Sequence, residues 1–116
     1  MNYQKIENPN PLVSIFNFHY AQPESVTDNL GLGCVLGYDE SGFAGIESEP
    51  YRIGAWQFLM AGGGIFNNLD WTYTAQSPEG LDTANNAPGS TTTEIRDQLV
   101  TLRQFFHEMD FIHMQP

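Results

Sequence analysis

The sequence predicts an α/β fold built around a small parallel β-sheet. Three apolar segments have the composition of β-strands, and each is followed by a segment with the signals of a helix. The strand segments are continuous apolar runs and not alternating patterns, which favours parallel strands joined by right-handed crossovers. About three such β/α units make a slice of a (β/α)8 barrel, that is a partial barrel, or of an open α/β sheet.

The first unit begins after a polar N-terminal segment. Residues 1–11 contain Asn8-Pro9-Asn10-Pro11, a double turn signal, and are expected to form a loop or a frayed end. The apolar, β-branched and aromatic segment Leu12–Tyr20 predicts a buried strand that becomes polar at its end. Pro23 and the acidic residue after it are typical of a first helical turn, so a short helix is expected over residues 23–31.

The second unit is a short strand followed by an amphipathic helix. Cys34–Tyr38 is the predicted strand, and residues 40–49 form a glycine-containing loop after it. Pro50–Ala61 is the predicted helix, because proline is favoured in a first turn and Gly62-Gly63-Gly64 ends the segment. Its apolar residues at helical spacing are Ile53, Trp56, Leu59 and Met60.

The third unit has a polar strand. Ile65–Thr74 is rich in aromatic residues and threonine, which predicts a strand, but two asparagines and an aspartate interrupt it. Such a strand either faces water or lines a site. A loop rich in Gly, Pro, Asn and Ser spans residues 76–90, and Thr91-x-x-Glu94 fits a capping box for the last helix. The apolar face of that helix consists of Ile95, Leu99, Leu102, Phe105, Phe106 and Met109.

Length and composition fit one domain with a core. The chain has 116 residues, of which 41% are hydrophobic and 13% aromatic. Residues 12–116 are therefore expected to form the folded part. A three-stranded parallel sheet leaves two bare edges and a half-covered face. We expect the chain to belong to something larger or to self-associate through its sheet edges.

The charge balance excludes some partners. Four Lys and Arg residues against 14 Asp and Glu give a formal net charge of −10, which repels nucleic acid phosphates and anionic lipid surfaces. No apolar run approaches the roughly 18–20 residues that span a bilayer, and no secretory signal opens the chain. We therefore expect no nucleic acid and no membrane partner, whereas neutral ligands such as sugars, or cations, are compatible with this charge. The single cysteine, Cys34, is expected to be a small buried hydrophobe.

Two adjacent carboxylates, Asp39 and Glu40, follow the second strand directly. Residues at the C-terminal ends of parallel strands carry the chemistry of α/β barrels, so this pair is the first candidate for a site. If the strand continues through Glu40, alternation places the two carboxylates on opposite faces, and only one can point into the site. Glu40 has the longer reach and is the candidate nucleophile or base, with Asp39 as its hydrogen-bonded neighbour and a candidate substrate-binding residue. The alternative is a solvated loop in which both cap the next element.

His19 and Tyr20 end the first strand at the corresponding level. Either side chain could hydrogen-bond a carboxylate on the neighbouring strand and hold it ionised, which makes both of them candidate catalytic residues. In the alternative, His19 is a structural histidine whose hydrogen bonds are made within the sheet, and the ring of Tyr20 is buried.

The third strand supplies the remaining candidate substrate-binding residues. Asn67, Asn68 and Asp70 are polar groups that need partners when buried, and Trp71 could stack on the apolar face of a sugar. For Trp71 and Tyr73, packing in the core is an equally good interpretation. No metal or cofactor is expected, because the three histidines have no metal-ligand spacing and the triple glycine ends a helix instead of starting one.

Five segments, in this order, resemble one family of enzymes. They are Ser14–Ala21, Tyr38–Phe43, Pro50-Tyr51-Arg52 with Ala55-Trp56, Ala61–Trp71 and the closing Asp110-Phe111-Ile112. Over residues 12–116 the chain resembles the C-terminal part of bacterial barrel glycoside hydrolases of the apiosidase-like type. These proteins carry a domain of unknown function 4038 and often a collagen-binding-type domain after the barrel.

The resemblance implies that the three strands are the sixth, seventh and eighth of a (β/α)8 barrel. It implies that Glu40 is the nucleophile of a retaining glycosidase and that His19 or Tyr20 hydrogen-bonds it. The acid/base of such enzymes ends the fourth strand, which this sequence does not contain, and retaining hydrolysis needs two carboxyl groups about 5 Å apart. The expectation is a glycoside hydrolase fragment with a carbohydrate substrate, inactive alone, whose parent family is secreted or periplasmic. The alternative is a non-catalytic carbohydrate-binding or assembly module.

Overall fold

A computed structural model of the chain describes residues 5–20, 22, 24–41, 44–82 and 93–114. Strands and helices alternate along it. The strands are β1 (Ile15–His19), β2 (Val35–Asp39) and β3 (Ile65–Phe66), and the helices are α1 (Ser25–Asn29), α2 (Glu49–Met60) and α3 (Thr93–His107). Short 3₁₀ turns follow α1 at Leu30–Leu32 and α3 at Phe111–His113. The chain is therefore a mixed α/β protein, as the sequence predicts.

The three strands form one parallel sheet in the order β1-β2-β3. The register pairs Ile15 with Val35 and His19 with Asp39, and Gly37 with Ile65. Because all the strands run in the same direction, their C-terminal ends lie along one edge of the sheet. The residues that follow β1, β2 and β3 therefore emerge side by side, with those of β2 in the middle.

One face of the sheet packs against α1 and α2. Alternate residues of β1 and β2, Phe18, Leu36 and Tyr38, form a core with Val26 of α1 and Phe58 of α2. The side chains of Val26 and Phe58 are fully buried. The strand residues that face the helices, spaced two apart, therefore pack against the apolar sides of α1 and α2, as expected for parallel strands covered by helices.

The opposite face of the sheet is open in the described part of the chain. Ile15, Val35 and Ile65 lie there and are 42–49% exposed. Asn17 and Asp39 lie on the same face as these apolar residues, nearer to the C-terminal edge of the sheet. Although the strands are continuous apolar runs, the described helices therefore cover only one of their two faces.

A second apolar cluster joins α2 to α3. Ala55 of α2 is fully buried against Leu102 and Phe106 of α3, and the ring of Trp56 lies 5.0 Å from that of Phe105. The apolar face predicted for the last helix is therefore the face that packs. No helix within the described ranges is long and apolar enough to cross a membrane.

The third strand is much shorter than the sequence predicts. Beyond Phe66, the amide of Asn67 still donates to the carbonyl of Tyr38, but the chain then turns away from the sheet. Further along, Asp70 keeps residues 70–72 out of the sheet, because its Oδ1 accepts from the amide and the hydroxyl of Thr72 and so favours a local turn over a strand.

Smaller differences concern the first unit and the long loop. The first strand begins at Ile15 and not at Leu12, and the helix expected over residues 23–31 is α1 followed by a 3₁₀ turn that ends at Gly33 with a φ of 65°. The capping box expected at Thr91 and most of the loop expected over residues 76–90 lie outside the described residues.

Candidate functional site

The His19 ring lies between the carboxylates of Asp39, the last residue of β2, and Glu40, the residue after it. Its Nδ1 lies 3.0 Å from Asp39 Oδ1, and its Nε2 lies 2.7 Å from Glu40 Oε2. The parallel register places His19 directly opposite Asp39, which explains the first contact. The predicted hydrogen bond between the end of the first strand and a carboxylate of the second is therefore present, and it involves both carboxylates.

Tyr20 contacts Glu40 from the same side. Its hydroxyl donates a hydrogen bond to Glu40 Oε1, so each oxygen of Glu40 has a partner from the end of β1. The hydrogen bond to Glu40, together with partial burial and the negative charges of Glu40 and Asp39, raises the pKa of Tyr20 to about 12. At neutral pH the phenol is therefore protonated and donates its hydrogen bond to Glu40.

The backbone at Glu40 brings both carboxylates to the same imidazole. Glu40 has a φ of 47°, in the left-handed region that a strand cannot continue through. Because β2 ends at Asp39, the condition under which alternation would separate Asp39 and Glu40 onto opposite faces is not met, and both carboxylates contact His19. The Tyr38 hydroxyl donates to the carbonyl of Ser41 at 2.9 Å, which anchors the turn to the core residue two positions before Glu40.

Asn17 also belongs to the cluster, although sequence reasoning did not select it. Its Nδ2 donates to Asp39 Oδ2 at 2.5 Å. Asn17 lies two residues before His19 on the same face of β1, opposite Gly37. A polar side chain at that spacing from His19, in an otherwise apolar strand, is the signal that could have identified it.

The two asparagines after β3 lie at the same edge of the sheet. Asn68 Oδ1 accepts a hydrogen bond from the Ser41 hydroxyl at 2.6 Å, which ties the end of β3 to the turn after Glu40. The side chain of Asn67 is exposed. The structure therefore brings Asn68 next to the turn after Glu40, whereas Asn67 pairs through its backbone amide with the carbonyl of Tyr38.

Asp70 has a different set of contacts. Its Oδ2 accepts from Arg96 Nε of α3 at 2.9 Å, and its Oδ1 accepts from Thr72. Partial burial acts to raise the pKa of Asp70, but the hydrogen bonds from Arg96 and Thr72 outweigh it and hold that pKa below its usual value. The described hydrogen bonds of Asp70 hold the loop after β3 against α3, and they do not run to the carboxylate turn.

Trp71 and Tyr73 are not core residues. They are 42% and 54% exposed, respectively. The Arg96 guanidinium lies 4.8 Å from the centre of the Tyr73 ring, which fixes that ring at the surface by a cation–π contact. This exposure counts against packing in the core, and stacking on a sugar stays a prediction.

A cleft of about 710 Å³ lies between the end of β3 and α3. Asn67 and Asn68 line one side of it, and apolar side chains of α3 such as Leu102 and Phe106 line the other. His19, Tyr20, Asp39 and Glu40 are not among its lining residues. Among the described residues, Asn68 lines the cleft and also contacts Ser41 in the turn after Glu40.

Within the part of the chain that the structure describes, no three or more His, Cys, Asp or Glu side chains are arranged to hold a metal ion. The side chains of the site are two carboxylates, an imidazole and a phenol. Together, the fold and the site define a small α/β protein in which side chains of the neighbouring strand hold a pair of carboxylates at the C-terminal edge of a parallel sheet. No family model, curated protein or solved structure matches this chain.

Proposed function

We propose that this chain is the C-terminal part of a (β/α)8-barrel glycoside hydrolase of the apiosidase-like, retaining type, with Glu40 as its nucleophile. The observation that carries the proposal is the environment of Glu40. This residue follows the central strand β2 at the C-terminal edge of the sheet, and Tyr20 and His19 each contact one of its oxygens. Barrel enzymes carry their reacting groups at that edge.

In the proposed reaction, a carboxylate oxygen of Glu40 attacks the anomeric carbon of a bound glycan. The glycosidic carbon–oxygen bond breaks, and the leaving oxygen takes a proton from an acid residue. Water then attacks the same carbon, the acid residue now acts as base, and Glu40 is released as a carboxylate. The Tyr20 hydroxyl suits this role of Glu40, because its hydrogen bond holds the carboxylate in place at the edge of the sheet.

The acid of this mechanism has to come from elsewhere in the parent. Retaining hydrolysis needs a second carboxyl group about 5–5.5 Å from the nucleophile. Asp39 is the other carboxylate of the cluster, but its two oxygens are engaged by Asn17 and His19, so it is unsuited to protonating a leaving group. The resemblance assigns the acid to the fourth strand. In this proposal the chain supplies the nucleophile half of a site.

The open face of the sheet supports the barrel part of the proposal. Ile15, Val35 and Ile65 lie on the face away from the helices and keep 42–49% of their surface exposed. In a closed barrel that face points to the axis, where layers of branched apolar side chains fill the interior. A parent barrel would bury all three. The alternative is that a second copy of the chain covers this face, and light scattering would then detect a dimer.

The test is a nucleophile substitution in the chain expressed together with the barrel sequence of its parent. Glu40→Gln should lower kcat by about 10³-fold or more, because it removes covalent catalysis. Glu49→Gln, at an exposed carboxylate in the first turn of α2, is the matched control and should leave kcat unchanged. Activity of the Glu40→Gln enzyme within about tenfold of wild type would contradict the assignment.

One observation favours the alternative of a non-catalytic carbohydrate-binding module. Trp71 and Tyr73 are exposed on the loop that follows Asn67 and Asn68, and exposed aromatic rings are suited to stacking on sugars. Calorimetric titration of the 116-residue chain with oligosaccharides separates the two functions. Binding without turnover that Trp71→Ala weakens about tenfold or more would favour the module, since loss of a desolvated aromatic anchor has such effects. The absence of any binding would count against it.

A further inference from the structure

Three residues of one short segment hold both carboxylates at the end of β2. Asn17 Nδ2 donates to Asp39 Oδ2, and His19 Nδ1 contacts Asp39 Oδ1. His19 Nε2 contacts Glu40 Oε2, and the Tyr20 hydroxyl donates to Glu40 Oε1. Each of the four carboxylate oxygens therefore has one partner from β1 or from the residue after it.

Asn17 reaches Asp39 only because the residue opposite it is glycine. The register pairs Asn17 with Gly37 on β2. A Cβ atom added at Gly37 would lie 2.4 Å from Asn17 Oδ1 and 3.4 Å from its Cγ, so any other residue would displace the amide. Gly37 thus leaves the space through which the Asn17 side chain crosses β2 toward Asp39.

The hydrogen-bond chemistry of this row is directional. An ionised carboxylate only accepts, so the contact between Asp39 and His19 places a proton on Nδ1. Asn17 donates from its amide to the other oxygen of Asp39, and because an amide does not titrate, it does so at any pH that leaves the fold intact. The 2.7 Å contact between His19 Nε2 and Glu40 Oε2 holds a further proton, since neither atom can donate without one.

We propose that Asn17 and Asp39 are positioning residues for Glu40. Asn17 fixes the orientation of the Asp39 carboxylate, Asp39 fixes the orientation and the Nδ1 proton of His19, and His19 restrains Oε2 of Glu40 while Tyr20 restrains Oε1. The value of this restraint for catalysis rests on the proposed function of Glu40 as nucleophile. Asp39, selected from the sequence as a substrate-binding residue, acts in this proposal through His19.

A purely structural role would predict a different pattern of effects. Backbone pairing over five residues already joins β1 to β2, and Asn17 lies on the exposed face of the sheet. A single hydrogen bond at an exposed position contributes little to stability. If Asn17 were only a link between strands, its removal would change stability slightly and leave the His19 proton where it is.

The test reads the protonation of the two ring nitrogens of His19 by long-range ¹H–¹⁵N spectra of the 116-residue chain at pH 8. In the wild type, Nδ1 should carry a proton that exchanges slowly with water. Asn17→Ala should speed that exchange about fivefold, the factor that corresponds to one hydrogen bond of about 1 kcal/mol. Gly37→Ala should do the same, although it leaves Asn17 and Asp39 chemically intact. His113, which contacts the exposed Asp110 at 2.7 Å, is a control in the same spectrum and should not change.

Asp39→Asn gives the sharper result. Asn17 still needs an acceptor, so it should turn the carbonyl of the new amide toward itself and the NH₂ group toward His19. His19 Nδ1 must then accept, so it should lose its proton, and the ring should carry its proton on Nε2, facing Glu40. In the double variant Asn17→Ala/Asp39→Asn nothing fixes the amide, so this reversal should be lost.

Two outcomes would overturn the proposal: His19 Nδ1 exchange in folded Asn17→Ala within twofold of wild type, or a reversal by Asp39→Asn that does not depend on Asn17. Circular dichroism establishes whether each variant is folded. If Gly37→Ala does not fold, the Asn17 and Asp39 variants are sufficient to test the proposal. These spectra need no glycosidase activity. A parent enzyme that is insensitive to Glu40→Gln would reject the proposed function and leave this result standing.

Discussion

Tyr20 and Glu40 adopt the same left-handed backbone conformation at equivalent positions of neighbouring strands. Each is the first residue after its strand, with φ values of 55° and 47°, and the Tyr20 hydroxyl donates to Glu40. Left-handed conformations are unfavourable for residues with a side chain and persist where the surroundings impose them. Here the two unfavourable residues face each other, so the hydrogen bond between them stabilises the turn that presents the carboxylate.

The first prediction concerns the ionisation of Tyr20. Because the hydrogen bond to Glu40 and the nearby negative charges raise the pKa of Tyr20 to about 12, its phenol should remain largely protonated at pH 11. An ordinary tyrosine has a pKa of about 10 and would be mostly ionised there. Carbon-13 spectra of ring-labelled tyrosine should show this difference directly. In Glu40→Gln the Tyr20 pKa should fall toward 10.

The matched variant for this titration is Tyr20→Phe, which identifies the Tyr20 signal by its disappearance. Circular dichroism at pH 11 establishes that the chain is still folded, which matters because burial also raises the pKa of Tyr38 and of Tyr51. If Tyr20 in the folded wild type ionises with a pKa near 10, the hydrogen bond between Tyr20 and Glu40 is absent in solution.

The second prediction compares a glycine inside α2, Gly54, with a glycine that follows the C-terminal end of α2, Gly63. A Cβ atom at Gly63 would lie 2.2 Å from the ring of Phe58, which is fully buried, and 2.8 Å from its carbonyl oxygen. Gly63→Ala should therefore destabilise the fold by about 2 kcal/mol, within the range of overpacked cores. Gly54, inside α2, has no atom within 4 Å of such a Cβ. Gly54→Ala should raise the free energy of unfolding by about 0.5–1 kcal/mol.

Urea unfolding of the two alanine variants measures both changes against the same wild type. The comparison controls for the substitution itself, because the chemical change is identical and only the surroundings differ. Equal effects at Gly54 and Gly63 would mean that the ring of Phe58 does not pack where the structure places it.

The sequence predicted the sheet better than the site. Continuous apolar runs indicated parallel strands, and parallel strands placed His19 and Tyr20 beside the carboxylates on β2, so those contacts followed from topology alone. The joint contact of Asp39 and Glu40 with His19 could not be predicted, because it depends on a positive φ at Glu40 that glutamate rarely adopts.

The ends of the third strand show a second limit of sequence reasoning. The composition of Ile65–Thr74 favours a strand, but the structure has one only over Ile65–Phe66. Asp70 forms its hydrogen bonds with Thr72 nearby and with Arg96, which lies 26 residues further along the chain. Local propensity contains no information about a partner at that separation, so tertiary contacts override it.

The third prediction concerns Arg96, which holds the loop after β3 on α3. Its guanidinium donates to Asp70, to Thr72 and to the carbonyl of Gly80, and it lies over the ring of Tyr73. Arg96→Ala removes the donor to Asp70 Oδ2 and to the carbonyl of Gly80, so it should lower the free energy of unfolding by about 2 kcal/mol. Arg103→Ala, at an exposed arginine of the same helix, should change it by less than about 0.5 kcal/mol. Thermal unfolding followed by circular dichroism measures both, and similar effects would contradict the clamp.

The last prediction is the pH dependence of that clamp. Arg96 and Thr72 hold the pKa of Asp70 below its usual value in the folded chain, against the opposing effect of partial burial. A carboxyl whose pKa is lowered by folding stabilises the fold at pH values above its unfolded pKa, about 3.9, and this stabilisation is lost as the pH falls through the folded value. Wild type should therefore exceed Asp70→Asn in stability at pH 7, and the difference should shrink below about pH 4. In the Arg96→Ala background the same pair should differ much less at pH 7, because the donor that lowers the pKa is gone. Urea unfolding of wild type, Asp70→Asn, Arg96→Ala and the double variant at pH 7 and pH 3 measures these differences in stability. If wild type and Asp70→Asn differ by the same amount at both pH values, Asp70 is not held ionised by Arg96.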